Sequence, residues 1–346
     1  MDIRDLKTES AAPVGAYLFA GEEEYLKRHY LSVFRAACVP DPVTETFKYI
    51  VFDRPDMDVP ALREAVMSPP VMSERKLVVW KYADFGRMRE SVQTALVSLL
   101  EEMPQYPYSV LVMPVTADGF DLGSLPKRPS KLYKKFENFC KIVDFKKSTD
   151  VQLLSWLKKH FDVAGVAADA DTLRRLIFRA GHSMDVLHGE VGKLVCYVKA
   201  GGRDTLTAVD VDTVVPADPE CDAFALSNAL SAGDRAAAYV ALRELRDERA
   251  EPTMVVGMMA RTDAELLSVS QMLDEGSGAD GIAAALRMNP YKVRLAVSAV
   301  KKQGAARIRG ALYALGELDV QMKNGGRTDF SVLESFIAGY LPREIN

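Results

Sequence analysis

The sequence lacks the features that mark several large classes of protein. It has no run of 18 or more apolar residues, and residues 1–7 include no apolar segment, so we expect neither a membrane-spanning helix nor a signal peptide. Four cysteines stand singly, without the C-x-x-C spacing of zinc sites: Cys38, Cys140, Cys196 and Cys221. We expect them to be buried, reduced thiols in the cytoplasm.

An excess of charge of one sign is also missing. The chain has 44 Lys and Arg against 48 Asp and Glu, a net charge of −4, which excludes a protein dominated by basic nucleic-acid tails. The apolar fraction of 48% and the charged fraction of 27% are typical of folded protein and exclude general disorder. A length of 346 residues predicts two to three domains.

Up to residue 147, short apolar runs alternate with segments of helical periodicity. This alternation predicts βαβ units and a parallel α/β sheet. Helices are predicted from Glu22, from a cap at Asp58, and over residues 88–103. Strands are predicted at residues 16–19, 46–52, 77–80, 109–113 and 141–145.

Beyond Lys147 the pattern is helical. Asp150 is the expected cap of the first of these helices, and residues 216–219 have the composition of a linker. We therefore predict three domains: an α/β domain over 1–147, a small helical lid-type domain over 148–216, and an all-α collar (oligomerisation) domain over 217–346. This order resembles an AAA+ module followed by a C-terminal oligomerisation domain.

The phosphate-binding residues of an AAA+ ATPase are missing from this layout. A G-x-x-x-x-G-K-[ST] loop would place backbone amides and a Lys around phosphate after the first strand, but the sequence there is Gly21-Glu22-Glu23-Glu24. Carboxylates at this position repel a polyphosphate. The strands at 77–80 and 109–113 also end without an acidic pair for Mg²⁺. We expect a degenerate phosphate loop, with no catalytic site, no metal and no cofactor.

Weak motifs occur in a fixed order along nearly the whole chain. They lie at residues 17–26, 68–79, 156–157, 190–194, 223–234, 289–293 and 322–325. Together they resemble the delta subunit family of the bacterial DNA polymerase III clamp loader.

The resemblance implies a subunit that binds and opens the sliding clamp (beta) for loading on primed DNA, without hydrolysing ATP. It also implies partners, namely the ATPase subunits (gamma/tau) and delta-prime, and membership of a cytoplasmic DNA-directed DNA polymerase (nucleotidyltransferase) holoenzyme. Two alternatives stay open from the residues. One is a divergent AAA+-type NTPase, and the other is a DNA- or RNA-binding helical adaptor.

In the family, the clamp contact is a pair of adjacent hydrophobic residues at the tip of a helix. The matching positions are Val71 and Met72, where the usual aromatic residue is absent, although Met can fill an irregular apolar pocket. Pro69 and Pro70 are expected to end the helix and to fix the turn that presents the pair. The alternative is that both side chains pack back on the sheet.

Two basic segments are candidates for contact with DNA or with another subunit. The first contains Lys127, Arg128, Lys131, Lys134 and Lys135. The second lies between Asp280 and Glu317 and contains no acid and seven bases: Arg287, Lys292, Arg294, Lys301, Lys302, Arg307 and Arg309. Contact with DNA phosphates is one interpretation. The other, which we favour, is a solvated helix face or a contact with an acidic partner subunit.

Overall fold

The computed structural model describes residues 1–40, 45–54, 58–70, 73–324 and 328–340. It divides into two compact units, Met1–Ser148 and Thr149–Asn346. The first unit is α/β and the second is built of helices in its described part. The predicted fold class is confirmed. The finer division of the second unit at residue 216 stays a prediction.

A five-stranded parallel sheet forms the centre of the first unit. Its strand order is β2-β3-β4-β1-β7, and Leu18 of β1 pairs with Met113 on one side and Ile142 on the other. A separate antiparallel pair consists of β5 and β6. The strands are β1 (Gly15–Gly21), β2 (Tyr49–Asp53), β3 (Lys76–Lys81), β4 (Ser109–Pro114), β5 (Gly123–Ser124), β6 (Arg128–Pro129) and β7 (Lys141–Phe145).

Both faces of this sheet are buried, because successive side chains along a strand point to opposite faces. Leu18 and Trp80 belong to one apolar cluster, whereas Phe19 and Phe145 belong to another. Burial on both faces explains why the strands are continuous apolar runs without polar alternation. The helices of this unit are α1 (Ile3–Glu9), α2 (Glu24–Cys38), α3 (Glu45–Lys48), α4 (Val59–Met67), α5 (Glu90–Glu102) and α6 (Lys131–Phe136), with a 3₁₀ turn at Met103–Gln105.

The second unit contains eleven described helices. Leu226, Leu242 and Leu315 belong to one of its apolar clusters, and Leu266, Val293 and Ile308 to another. Within the described ranges, no helix combines the length and the apolar character needed to cross a bilayer. The helices are α7 (Asp150–Val163), α8 (Ala170–Ala180), α9 (Met184–Ala200), α10 (Ala208–Val214), α11 (Pro219–Ala232), α12 (Arg235–Asp247), α13 (Pro252–Asp274), α14 (Ala279–Leu286), α15 (Pro290–Gln303), α16 (Ala305–Lys323) and α17 (Phe330–Tyr340).

Several predicted boundaries are wrong by a few residues. The strand predicted at 46–52 begins at Tyr49, because residues 45–48 form a helical turn. Asp58 stands at the start of α4 but makes no side-chain capping bond. The cap of α7 is Thr149 rather than Asp150, since the Thr149 hydroxyl accepts from the Gln152 amide in a capping box.

The cysteine prediction holds for only part of the set. Cys38 and Cys140 are buried, and burial raises the pKa of their thiols to about 11 and about 12. Cys196 is exposed and Cys221 is partly exposed, so the prediction of burial was wrong there. Cys196 lies on the outer face of α9, where a small side chain has no core to enter.

One carboxyl group is enclosed in the second unit. Asp263 of α13 is fully buried, and the Ser227 hydroxyl of α11 donates to its Oδ1. Its Oδ2 has no hydrogen-bond partner among the described residues. Burial raises the pKa of Asp263 to about 7, which the hydrogen bond from Ser227 only partly opposes.

The raised pKa makes stability fall as the pH rises. Between the unfolded pKa near 4 and the folded pKa of about 7, the folded chain binds the extra proton, so higher pH favours unfolding. Asp263→Asn keeps an oxygen for Ser227 and removes the charge. We expect its effect on the free energy of unfolding to be more stabilising at pH 8 than at pH 5, by about 2–3 kcal/mol.

Urea unfolding at the two pH values measures this difference. The control is Asp274→Asn, an exposed carboxyl on the same helix, which should show no such change with pH. Equal effects of Asp263→Asn at both pH values would contradict the prediction.

Candidate functional site

The connection between β1 and α2, where an AAA+ ATPase holds phosphate, contains only Glu22 and Glu23. Gly21 adopts a φ of +100°, and a Cβ there would lie 2.4 Å from the carbonyl oxygen of Phe145, so only glycine fits. The Glu23 amide donates to that same oxygen at 2.9 Å. This amide is therefore engaged in the sheet, and the short connection leaves no room to wrap a phosphate.

The one buried cation beside this connection is also engaged. Lys27 of α2 is 1% exposed, and its Nζ donates to Glu24 Oε1 and to the carbonyl oxygen of Val115, each at 2.7 Å. A phosphate-binding lysine needs a free ammonium group aimed at the ligand. Lys27 instead ties α2 to the segment that follows β4.

The cleft at the carboxyl ends of β1 and β7 is acidic. It measures about 460 Å³, and two lysines in it, Lys146 and Lys147, lie 3.6 Å from Asp144 and 3.5 Å from Glu22. Its acidic lining residues are Glu22, Asp118, Asp121 and Asp144. Among the residues that the structure describes, no group of three or more His, Cys, Asp or Glu side chains is placed to hold a metal ion.

The predicted clamp-contact pair, Val71 and Met72, lies outside the described residues. The helix that leads to it is α4, which ends at Met67, and Pro69 after it is exposed while Pro70 is partly buried. Ser68 is extended, with ψ at 130°, as expected for a residue that precedes proline. The approach to the predicted contact is therefore a helix end at the surface followed by two stiff residues.

Side chains from the neighbouring strands bind the end of α4. The carbonyl oxygens of residues 65–68 all accept hydrogen bonds. Lys76 Nζ donates to the first and the fourth, Ser109 Oγ to the second at 2.6 Å, and the Tyr108 hydroxyl to the third. An isolated helix leaves such carbonyls without partners. We call Lys76, Tyr108 and Ser109 the α4 donor set.

Lys76 is the charged member of the α4 donor set. It is 1% exposed, and its Nζ also lies 5.7 Å from the centre of the Tyr108 ring. Burial lowers the pKa of Lys76 to about 8. Sequence reasoning missed this role, since it treated Ser109 only as the start of an apolar strand. The available signal was a polar residue immediately before each apolar run.

The first basic segment lies near β6 and α6. Lys127, Arg128, Lys131 and Lys134 are exposed, with no described carboxylate within 4 Å of their charged groups. Lys135 is partly buried and donates to Gln93 Oε1 at 3.0 Å. Four of the five predicted residues therefore present free charge.

The second basic segment is divided between internal and exposed positions. Lys292 lies 2.7 Å from Glu265, and Arg294 lies 2.9 Å from Asp171, so these two cations have partners within their own unit. Lys301 and Lys302, in the last turn of α15, are exposed and have no described carboxylate within 4 Å.

The sheet order and the closed β1–α2 connection define the class: an AAA+-like protein with a degenerate phosphate loop, followed by a helical unit. Family models identify the member. The model for DNA polymerase III, delta subunit, matches residues 17–145, and the model for the C-terminal domain of the DNA polymerase III delta subunit matches residues 220–340. The chain belongs to the DNA polymerase III delta subunit family.

A known protein and a solved structure are similar to this chain along nearly its whole length. The DNA polymerase III subunit delta of Bacillus subtilis (strain 168) is 26% identical, over 98% of this chain and 96% of the relative. The solved structure of the Bacillus subtilis DNA clamp loader delta protein has a similar fold. Its TM-score is 0.55 at 22% identity, and the match covers 99% of this chain and all of that one.

From the geometry of the β1–α2 connection we predict that the chain alone does not bind ATP. The Glu23 amide and the Lys27 ammonium are both engaged, and a triphosphate would meet the carboxylate of Glu22. Isothermal calorimetry with a non-hydrolysable ATP analogue and Mg²⁺ measures this, with an AAA+ ATPase as positive control. Micromolar binding by the chain would contradict the prediction.

Proposed function

We propose that the chain is the delta-type subunit of a bacterial clamp loader, which binds a sliding clamp and holds one clamp interface open for loading on primed DNA. The observation that carries the proposal is the match of two delta-subunit models to both units of the chain. The short β1–α2 connection, which leaves no room for a phosphate, supports a subunit that works through binding energy rather than ATP hydrolysis. This role places the protein in the cytoplasm.

Opening a ring needs no chemistry in the subunit that opens it. A protein that binds the open clamp more tightly than the closed clamp shifts the equilibrium towards the open form by that difference in affinity. Moving the population from 1:99 to 99:1 takes an affinity ratio of about 10⁴. The ATPase subunits of the loader then only have to control when the clamp-binding surface is accessible.

We propose Val71 and Met72 as the contact with the clamp, with Pro69 and Pro70 restricting the chain before them. The exposed end of α4 supports this assignment, since the helix ends at Met67 and both Ser68 and Pro69 after it are exposed. Proline fixes φ near −65°, so the two prolines limit the directions in which the pair can point. A short apolar protrusion of this kind fits the anchor residues of protein interfaces.

We propose the collar role for residues 217–346, with the gamma/tau ATPase subunits and delta-prime as neighbours. Four large apolar side chains in this part are 49–73% exposed and are available for contact with a neighbouring subunit. These side chains are Val240, Met254, Tyr313 and Val320. Residues 148–216 then form the small helical domain between the clamp-binding and the collar parts.

The exposed bases suit contact with an acidic surface of a neighbouring subunit, and we favour that role for Lys127, Arg128, Lys301 and Lys302. DNA phosphates are the second candidate. DNA binding by the chain alone distinguishes the two: a helical adaptor for nucleic acid would bind DNA tightly without any clamp, with an affinity that falls steeply as salt rises.

The clamp assignment predicts the effect of Val71→Asp/Met72→Asp. Burying two such side chains is worth roughly 3–6 kcal/mol before association costs, and the change also forces desolvation of two carboxylates. We expect clamp affinity to fall at least about 30- to 100-fold, which corresponds to about 2–3 kcal/mol. The fold and entry into the loader should survive. Affinity is measured by titrating the purified clamp, and the fold by circular dichroism.

The matched control is Val151→Asp/Val163→Asp, which places the same charges at two exposed valines of α7. It should leave clamp affinity unchanged. An equal loss in both variants, or none in either, would move the clamp contact elsewhere. A collapsed fold in the Val71→Asp/Met72→Asp variant would mean that the pair packs on the sheet.

The two compact units predict separable activities. A fragment of residues 1–148 should bind the clamp without joining the loader, and a fragment of residues 149–346 should join the loader without binding the clamp. Co-purification of each fragment with the clamp, and with the ATPase subunits plus delta-prime, measures both. Loader entry by residues 1–148 would contradict the collar assignment.

A further inference from the structure

We propose that the α4 donor set, Lys76, Tyr108 and Ser109, consists of positioning residues that fix the end of α4 and thereby the point from which the clamp-contact segment leaves this helix. This inference rests on the proposed function, because it concerns how the Val71–Met72 contact is presented. None of the three side chains needs to touch the clamp.

The number of bonds at this helix end exceeds what the helix itself requires. A helix that ends at the surface can leave its last carbonyls to water. Here the carbonyl oxygens of residues 65–68 instead accept from three side chains. The Ser68 amide and hydroxyl both donate to the carbonyl of Glu64, at 3.0 and 2.8 Å, so the satisfied run covers five consecutive carbonyls.

The donors come from the rigid part of the unit. Lys76 opens β3 and Ser109 opens β4, and these two residues are paired in the sheet register. Ser109 is fully buried, and Tyr108 immediately precedes it. The bonds therefore connect the end of α4 to two adjacent central strands rather than to another surface loop.

Burial of the Lys76 ammonium group is unfavourable in free energy, which indicates that this lysine has a specific role. Its ammonium group is removed from water, and no described carboxylate lies within 4 Å of it. Burial of an unpaired lysine is unfavourable unless other groups solvate it. The two helix carbonyls and the ring of Tyr108 do so here, and the negative end of the helix dipole adds to them.

The consequence concerns the segment after the helix. Ser68 is the last residue held by the donor set, and Pro69 and Pro70 follow with restricted φ angles. The proposed contact pair begins three residues beyond a fixed carbonyl. A pre-organised segment loses less conformational freedom on binding than a free loop, which raises affinity without any added contact.

The test uses Tyr108→Phe/Ser109→Ala, which removes two hydroxyl donors and retains the ring. Clamp affinity should fall by about 5- to 30-fold, the range expected for two hydrogen bonds. Hydrogen–deuterium exchange should rise in peptides spanning the end of α4 and stay unchanged in β3 and β4. The control is Tyr106→Phe, a neighbouring tyrosine with no hydroxyl bond to α4, which should change neither readout.

A double-mutant cycle that combines the donor-set change with Val71→Asp/Met72→Asp distinguishes a positioning effect from a general loss of stability. In the Val71→Asp/Met72→Asp background, the donor-set change should cause no further loss of affinity, because there is no contact left to position. Full additive loss in that background would overturn the proposal. So would unchanged affinity of Tyr108→Phe/Ser109→Ala, or an affinity loss accompanied by faster exchange throughout the sheet.

The same experiment distinguishes failure of the inference from failure of the proposed function. If Val71→Asp/Met72→Asp weakens clamp binding and the donor-set variant does not, only the positioning role is overturned. If the Val71→Asp/Met72→Asp variant binds the clamp normally, the proposed contact fails, and the positioning role fails with it.

Discussion

The five-stranded sheet is buried on both faces, so its polar and functional groups are restricted to the two edges at which the strands begin and end. Because Leu18 and Phe19 face opposite clusters, helices cover the sheet above and below, and chemistry is possible only where strands begin or end. In parallel α/β proteins ligands usually bind at the carboxyl edge. In this chain the carboxyl edge at β1 is closed by the bond between Glu23 and Phe145, and the polar groups that converge on α4 lie at the opposite edge.

A buried lysine lies at each of these two edges of the sheet. Lys27 and Lys76 are both buried, and both donate to main-chain carbonyls rather than to a ligand. Lys27 joins α2 to the segment after β4. It lies beside the β1–α2 connection, which is the place of the phosphate loop in an ATPase. Lys76 joins α4 to the start of β3. Both lysines therefore stabilise the attachment of a helix to the sheet.

Much of this could be predicted from the sequence. The strands β3 and β4 were found because burial on both faces produces uninterrupted apolar runs, and the missing phosphate loop was visible in Gly21-Glu22-Glu23-Glu24. The start of β2 was misplaced because it is an edge strand with half-exposed side chains, preceded by Phe47, which is 65% exposed. The α4 donor set was missed because its bonds join segments 8 to 43 residues apart, and a polar residue before an apolar run does not by itself identify the carbonyl that it binds.

The two-residue β1–α2 connection also has an evolutionary consequence. A phosphate loop spans several residues between strand and helix, and here Gly21 already touches the Phe145 carbonyl. Replacing Glu22 or Glu23 with glycine or lysine supplies the residue types but not the length. Restoring an ATPase at this place would take an insertion together with a rearranged β1–β7 contact. Single substitutions at Glu22 or Glu23 therefore cannot create a phosphate loop in this connection.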